Sequence, residues 1–153
     1  MASLAARASL PAGVDAVKAL AHPGRLRLLA MLREGDLCVC QMTAVLELAA
    51  STVSSHLGDL RRAGFISERK SGKWVHYHLV GEGRLAELVR HALRLVEEDE
   101  QLKKDAEYAG AVRGVPLDTF CRAGFDRTAA GSETVRGRKR IVRRSAATTR
   151  RRA

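Results

Sequence analysis

The sequence predicts a mainly α-helical domain with one small β-hairpin, arranged as a winged helix-turn-helix. Three observations predict it. Successive segments over residues 14–63 repeat apolar side chains every three or four positions, the helical period. After Gly64 come two short extended runs joined at Ser71-Gly72, a plausible tight turn. A further amphipathic segment begins at Arg84.

Val14, Val17, Leu20 and Ala21 share one face of a first helix, and Leu26, Leu29, Ala30 and Leu32 line a second. Pro23 disfavours helix at the residue before it, so the break falls at His22. Gly35 suits the stop of the second helix, and a third begins around Leu37 to Cys40 with Met42, Val45, Leu46 and Ala49 inward. The fourth spans about Ser51 to Ala63, turning Val53, Leu57 and Leu60 inward and Thr52, Ser55, Asp59 and Arg62 outward; Gly64 ends it. Phe65 to Lys70 and Trp74 to Val80 are the strands of the hairpin, or wing.

From Arg84 a long helix carries Leu85, Leu88, Val89, Ala92, Leu95, Val96 and Leu102 on one stripe. The rest of the body is small, so part of that stripe is expected to meet a second subunit. Leu85, Leu88, Val89, Ala92, Leu95 and Val96 are therefore the expected interface of a homodimer, the commonest closed assembly and one that suits two-fold DNA sites.

The formal net charge of +10 is unevenly placed. Residues 1–108 hold 15 Lys/Arg against 14 Asp/Glu, whereas residues 109–153 hold 12 against 3. Residues 1–13 are read as an N-terminal arm, 14–108 as the folded body and 109–153 as a basic, largely disordered tail that contains Cys121. Only Val115 to Phe125 in that tail is apolar enough to dock. Such basicity suggests a polyanionic partner, but it describes the tail more than the body.

No apolar stretch reaches the ~18 residues of a membrane span, and the opening Met1 to Gly13 does not fit a secretory signal. Three cysteines without an export signal point to the reducing cytoplasm, with thiols free or acting as ligands. The chain has no Cys-x-x-Cys, no phosphate-cradling loop and no evident base paired with a thiol, which argues against an enzyme.

Cys38 and Cys40 place two soft ligands just ahead of Ser51-Thr52-Val53-Ser54-Ser55-His56-Leu57. Residues two apart do not face one another on a helix, so the pair can grip one ion only where the helix start is irregular. On the following helix Ser51, Thr52, Ser54, Ser55 and His56 offer small hydrogen-bonding groups to a major groove. Arg62, Lys70 and Lys73, with Arg61 and Arg69, place positive charge where phosphates would lie. His76 and His78 share a strand face, which fits packing or a phosphate contact better than a metal.

The chain resembles the ArsR/SmtB family of winged-helix repressors, most closely its arsenic-responsive branch. The resemblance runs over roughly residues 14–104, on Ala19-Leu20-Ala21-His22-Pro23 with Arg25-Leu26, Leu37-Cys38-Val39-Cys40, Thr52 to Leu57 with Leu60, Ala63-Gly64-Phe65-Ile66, and Arg69, Gly72, Tyr77 and Leu79. It implies a homodimeric repressor of operator DNA, released when As(III), or sometimes Sb(III), binds the cysteines, with no cofactor for DNA binding. The family's zinc site on the long helix looks absent, because only His91 stands there. Arsenic sensors of the best-known pattern have a third cysteine where this chain has Thr43, and often Ser-Gln where Ala49-Ala50 stand. Arsenic typically takes three thiolates, so Cys121 is the expected third donor beside Cys38 and Cys40, within one subunit or across the dimer. The pair also admits a thiol redox switch, or a sensor of Zn(II) or another soft metal.

Overall fold

A computed structural model describes residues 9–122. The chain divides into two compact units, Met1–Gly114 and Val115–Ala153. The expectations for residues 1–8 and 123–153, including the arginine-rich end, lie outside the described residues.

In the first unit the order is α1 (Leu10–Leu20), α2 (Pro23–Arg33), β1 (Leu37–Cys38), α3 (Val39–Leu46), α4 (Ala50–Arg62), β2 (Ile66–Ser71), β3 (Trp74–Leu79), α5 (Gly83–Arg94) and α6 (Glu100–Arg113). This is the mainly helical winged helix-turn-helix that the sequence predicts. The second unit contributes α7 (Leu117–Arg122), in which Cys121 is half-buried. No described helix is long and apolar enough to cross a membrane.

α2 is the hub. Its Leu28, Leu29 and Met31 are fully buried, and it packs on α3, α4, α5 and α6. Met42 of α3, Val53, Leu57 and Leu60 of α4, and Phe65 complete the core. His22 starts α2 by accepting the Gly24 N–H on Nδ1 at 3.0 Å, ahead of which Pro23 fits the first helical position.

The wing pairs in register from Ile66↔Leu79 to Ser71↔Trp74, leaving a two-residue loop of Gly72 and Lys73. Gly72 has φ 58, the left-handed value such a loop demands at its first position. A short strand the sequence did not signal, β1, adds to the other side of β3. With only Leu37 and Cys38 in it, β1 is too short for alternation to show.

Three boundaries differ from the sequence reading. α1 begins at Leu10, inside the expected arm, because Ser9 Oγ caps it by accepting the Ala12 N–H. The long helix from Arg84 is two helices, broken at Leu95 to Asp99; Asp99 starts the second by accepting the Gln101 and Leu102 N–H groups. α6 then runs past the boundary expected at Tyr108, with Ala109 and Val112 buried. Small residues at that spacing pack tightly, although their composition reads as weakly apolar.

Candidate metal centre and nucleic-acid interface

Cys38 sits at the junction of β1 and α3. It is the N-cap of α3, with extended φ −91 and ψ 166. Its thiol takes the place of the usual cap oxygen, facing the Gln41 N–H as a weak acceptor, while Gln41 Oε1 accepts the Cys38 N–H at 3.0 Å. Because Cys38 lies outside the regular helix, the two-residue spacing is no obstacle, and the sulfurs of Cys38 and Cys40 lie within 4.8 Å of one another. The helix start need not unwind to bring the pair together.

Cys38 is 2% exposed and Cys40 half-buried; neither is in a disulfide. Burial raises the Cys38 thiol above its ordinary value, against the lowering effect of the Gln41 backbone N–H, and the neighbouring Cys40 also raises it. Thr43, where the resemblance sets a third sulfur, is buried, and its Oγ1 has no hydrogen-bond partner among the described residues. Two thiols are an incomplete set for trivalent arsenic. Cys121, on α7, belongs to the second unit and is not in a disulfide.

α4 presents Ser51, Thr52, Ser54 and Ser55 exposed on one side, with Val53, Leu57 and Leu60 buried on the other. Its N-cap is Ala49, which has no side-chain cap, so the serines are left to face outward. His56 does not belong to that outer set. It is half-buried and stacks on His22, ring centroids 4.4 Å apart, and a Cβ on Gly24 would come within 3.2 Å of both rings. Burial lowers the His56 pKa, as do His22 and Arg25, against the opposing pull of Asp59.

The cations divide similarly. Lys70 and Lys73 are exposed at the wing tip, Lys73 with its ammonium 5.0 Å from the Trp74 ring centre. Arg62 is exposed but pairs with Asp59, which also accepts from Arg25 at 3.1 Å. Arg61 pairs with Glu68 at 2.8 Å and Arg69 with Asp36 at 3.1 Å. His76 and His78 are half-buried in β3.

Of the residues expected at a dimer interface, Leu95 is 87% exposed, while Leu85, Leu88, Ala92 and Val96 are half-buried. Val89 is a core residue, because α5 turns Ala86, Val89 and Leu93 inward, where it packs on α2. Sequence periodicity missed Leu10, Val14 and Val17 of α1 as surface residues, all of them exposed. A groove of about 980 Å³ lies between α1, the wing base and α5, lined by Ala12, Val17, Ile66, Leu85 and Leu88.

The family model for bacterial regulatory proteins of the arsR family matches residues 22–68. An arsenic resistance transcriptional regulator of Pseudomonas putida is 48% identical over 63 residues, 40% of this chain and 49% of that protein. The chain thus spans about half the length of that relative. An uncharacterized HTH-type transcriptional regulator of Methanocaldococcus jannaschii is 37% identical over 82 residues, covering 53% of this chain and 86% of that one. The solved structure of HlyU from Vibrio cholerae superposes with a TM-score of 0.52 at 33% identity, over 57% of this chain and 95% of HlyU. With this likeness extending through the thiol-bearing strand and α4, the chain belongs to the arsR family of bacterial regulatory proteins, which are transcriptional regulators and not enzymes.

Proposed function

We propose that the protein is a homodimeric repressor in the cytoplasm that holds double-stranded operator DNA through α4 and the wing. It leaves the DNA when As(III), or Sb(III), is captured by Cys38, Cys40 and Cys121. One observation carries this reading: two free thiols stand side by side at the start of α3, the helix directly ahead of the exposed serine face of α4. Ser51, Thr52, Ser54 and Ser55 contact base edges or phosphates, and Lys70 and Lys73 contact backbone beside them.

Capture of arsenous acid balances without redox. Three As–S bonds form, three As–O and three S–H bonds break, and three waters leave with arsenic still trivalent. Cys38 and Cys40 supply two sulfurs and Cys121 the third, from the same subunit or its partner. DNA binding itself uses no metal and no organic cofactor. The exposed α1 residues Leu10, Val14 and Val17, with Leu85, Leu88 and Leu95 of the α5 region, meet a second copy. A linkage of ~1–3 kcal/mol between the thiol site and the DNA site would weaken operator binding about 5- to 150-fold.

Fluorescence anisotropy on a duplex from upstream of the gene tests this, with arsenite, antimonite, zinc and peroxide added in turn. Arsenite should release the wild type but not Cys38→Ser, Cys40→Ser or Cys121→Ser. Adding Thr43→Cys to Cys121→Ser should restore the response, since it places a thiol on α3 itself. Release by peroxide and not by arsenite would favour a thiol redox switch, and release by zinc alone a divalent-metal sensor. A Cys121→Ser protein that responds like wild type would remove Cys121 from the ligand set.

A further inference from the structure

One side chain joins the start of α3 to the end of α6. Gln41 is 4% exposed, and both ends of its amide are used. Oε1 accepts the Cys38 N–H at 3.0 Å, and Nε2 donates to the Val112 carbonyl at 3.2 Å. Val112 is in the last turn of α6, where carbonyls lack partners within the helix; its other donor is the Gly114 N–H. The next residue, Arg113, donates from Nη2 to the carbonyls of Met31 and Gly35. Its Nε lies 3.2 Å from where a Cβ on Gly35 would stand, at a backbone φ of 145.

The last turn of α6 therefore holds the segment between α2 and α3 on both sides of β1. Nearer its start, α6 is fixed by a separate anchor. Asp105, fully buried, accepts from Arg27 at 2.6 and 2.8 Å and from Gln101 at 2.9 Å. A disturbance at the thiols thus meets α6 first through Gln41, not through the Asp105 anchor.

We propose that Gln41 is the positioning residue through which occupancy of the Cys38–Cys40 pair is passed to the last turn of α6. This rests on the reading that those thiols bind trivalent arsenic. Cys38 carries both a ligand sulfur and the N–H that Gln41 holds. An arsenic bridge draws the two sulfurs together and turns Cys38 about its backbone. The planar amide of Gln41 cannot follow the Cys38 N–H and also keep its bond to the Val112 carbonyl. If it follows Cys38, that carbonyl is left to the Gly114 N–H alone, and the turn at residues 109–113 loosens.

Phenylarsine oxide is the probe, because it takes two thiolates: two As–S bonds form, and the arsenic oxygen leaves with both thiol protons as one water. It is added to full-length Cys121→Ser, where Cys38 and Cys40 are the remaining cysteines, and amide hydrogen exchange is followed by mass spectrometry. Exchange over residues 109–113 should quicken at least tenfold while that around Asp105 stays unchanged. Gln41→Glu keeps an acceptor for the Cys38 N–H but has no donor for Val112 when ionised. Its last turn should already exchange fast, with no further change on adding the arsenical. Gln41→Met, which loses both bonds without burying a charge, should do the same and serves if the carboxylate prevents folding.

Disappearance of both titratable thiols with unchanged exchange at 109–113 would overturn the role of Gln41 alone. Thiols that stay titratable would overturn the arsenic reading and this inference together. A folded Gln41 variant that exchanges and responds like its parent would also overturn it.

Discussion

The seam where α6 closes on α2 and α3 and the face made by α4 and the wing treat polar groups in opposite ways. In the seam, Gln41 and Asp105 are buried and each is held by at least two hydrogen bonds. On the face, Ser51, Thr52, Ser54 and Ser55 are exposed on a helix that begins without a side-chain cap. A buried polar group without a partner costs far more than a solvated one, so the seam must be complete within the chain. The face is under no such demand, and its side chains are free to bind something else. The polar residues of the seam specify the fold, and those of the face present chemistry.

The strongest way to break that contrast is Asp105→Ala. It leaves the Arg27 guanidinium, about a fifth exposed, without its bidentate partner. Removing one member of a buried pair costs ~3–5 kcal/mol, and the partial exposure of Arg27 points to the lower end. Urea unfolding should show that loss. In Thr52→Ala and Ser55→Ala the unfolding midpoint should correspond to a change within ~0.5 kcal/mol, as at ordinary surface sites. Their effect should fall instead on operator affinity, at ~1 kcal/mol for each lost hydrogen bond. If Asp105→Ala were no less stable than Thr52→Ala, the seam would not be the structural half of the molecule.

The two regions were also unequally legible in the sequence. The face could be read directly: Val53, Leu57 and Leu60 alternate with polar residues at helical spacing, and Gly64 and Gly72 punctuate the helix end and the wing. His56 was the exception, grouped with the serines as a groove contact although it packs on His22. Nothing in its spacing marks the stack, because His22 is far away in sequence. The seam was illegible for the same reason. Arg27 and Asp105, or Gln41 and Val112, are joined only by tertiary contact, and a charged pair on two helices reads as solvated surface. Cys38 and Cys40 stood out by type alone. Their approach depends on Cys38 being a cap at the end of a two-residue strand, too short for any periodic signal. The stripe after Arg84 showed the apolar content of α5 but not its partner, which for Val89 is α2.

The bare start of α4 gives a smaller effect with the opposite sign. Ala49 has the extended backbone of an N-cap, φ −60 and ψ 142, and no side chain to accept a first-turn N–H. Ala49→Ser supplies an oxygen there. Ser in place of Ala at such a position contributes ~1 kcal/mol, which should appear as a higher urea midpoint. No gain would mean that the first turn of α4 is already satisfied, and that the contrast with the seam is narrower than the exposed serines suggest.

The smallest expected effect belongs to His56, which stands on α4 but faces inward. The groups that act on it are His22, Arg25 and Asp59, and burial is the largest influence. An imidazole in the unfolded chain titrates near ~6.5; in the folded protein it titrates lower. Above that ordinary value His56 is neutral in both states and does not bias folding. As the pH falls through it, the unfolded chain takes up the proton first, so folding stability drops, and the drop levels off once the pH passes below the folded value. His56→Asn removes this titration while keeping a small polar group. Thermal unfolding at pH 7.5 and pH 5 should therefore show a smaller acid-induced fall in Tm for the variant than for wild type. An equal fall in both would place the acid sensitivity elsewhere than at His56.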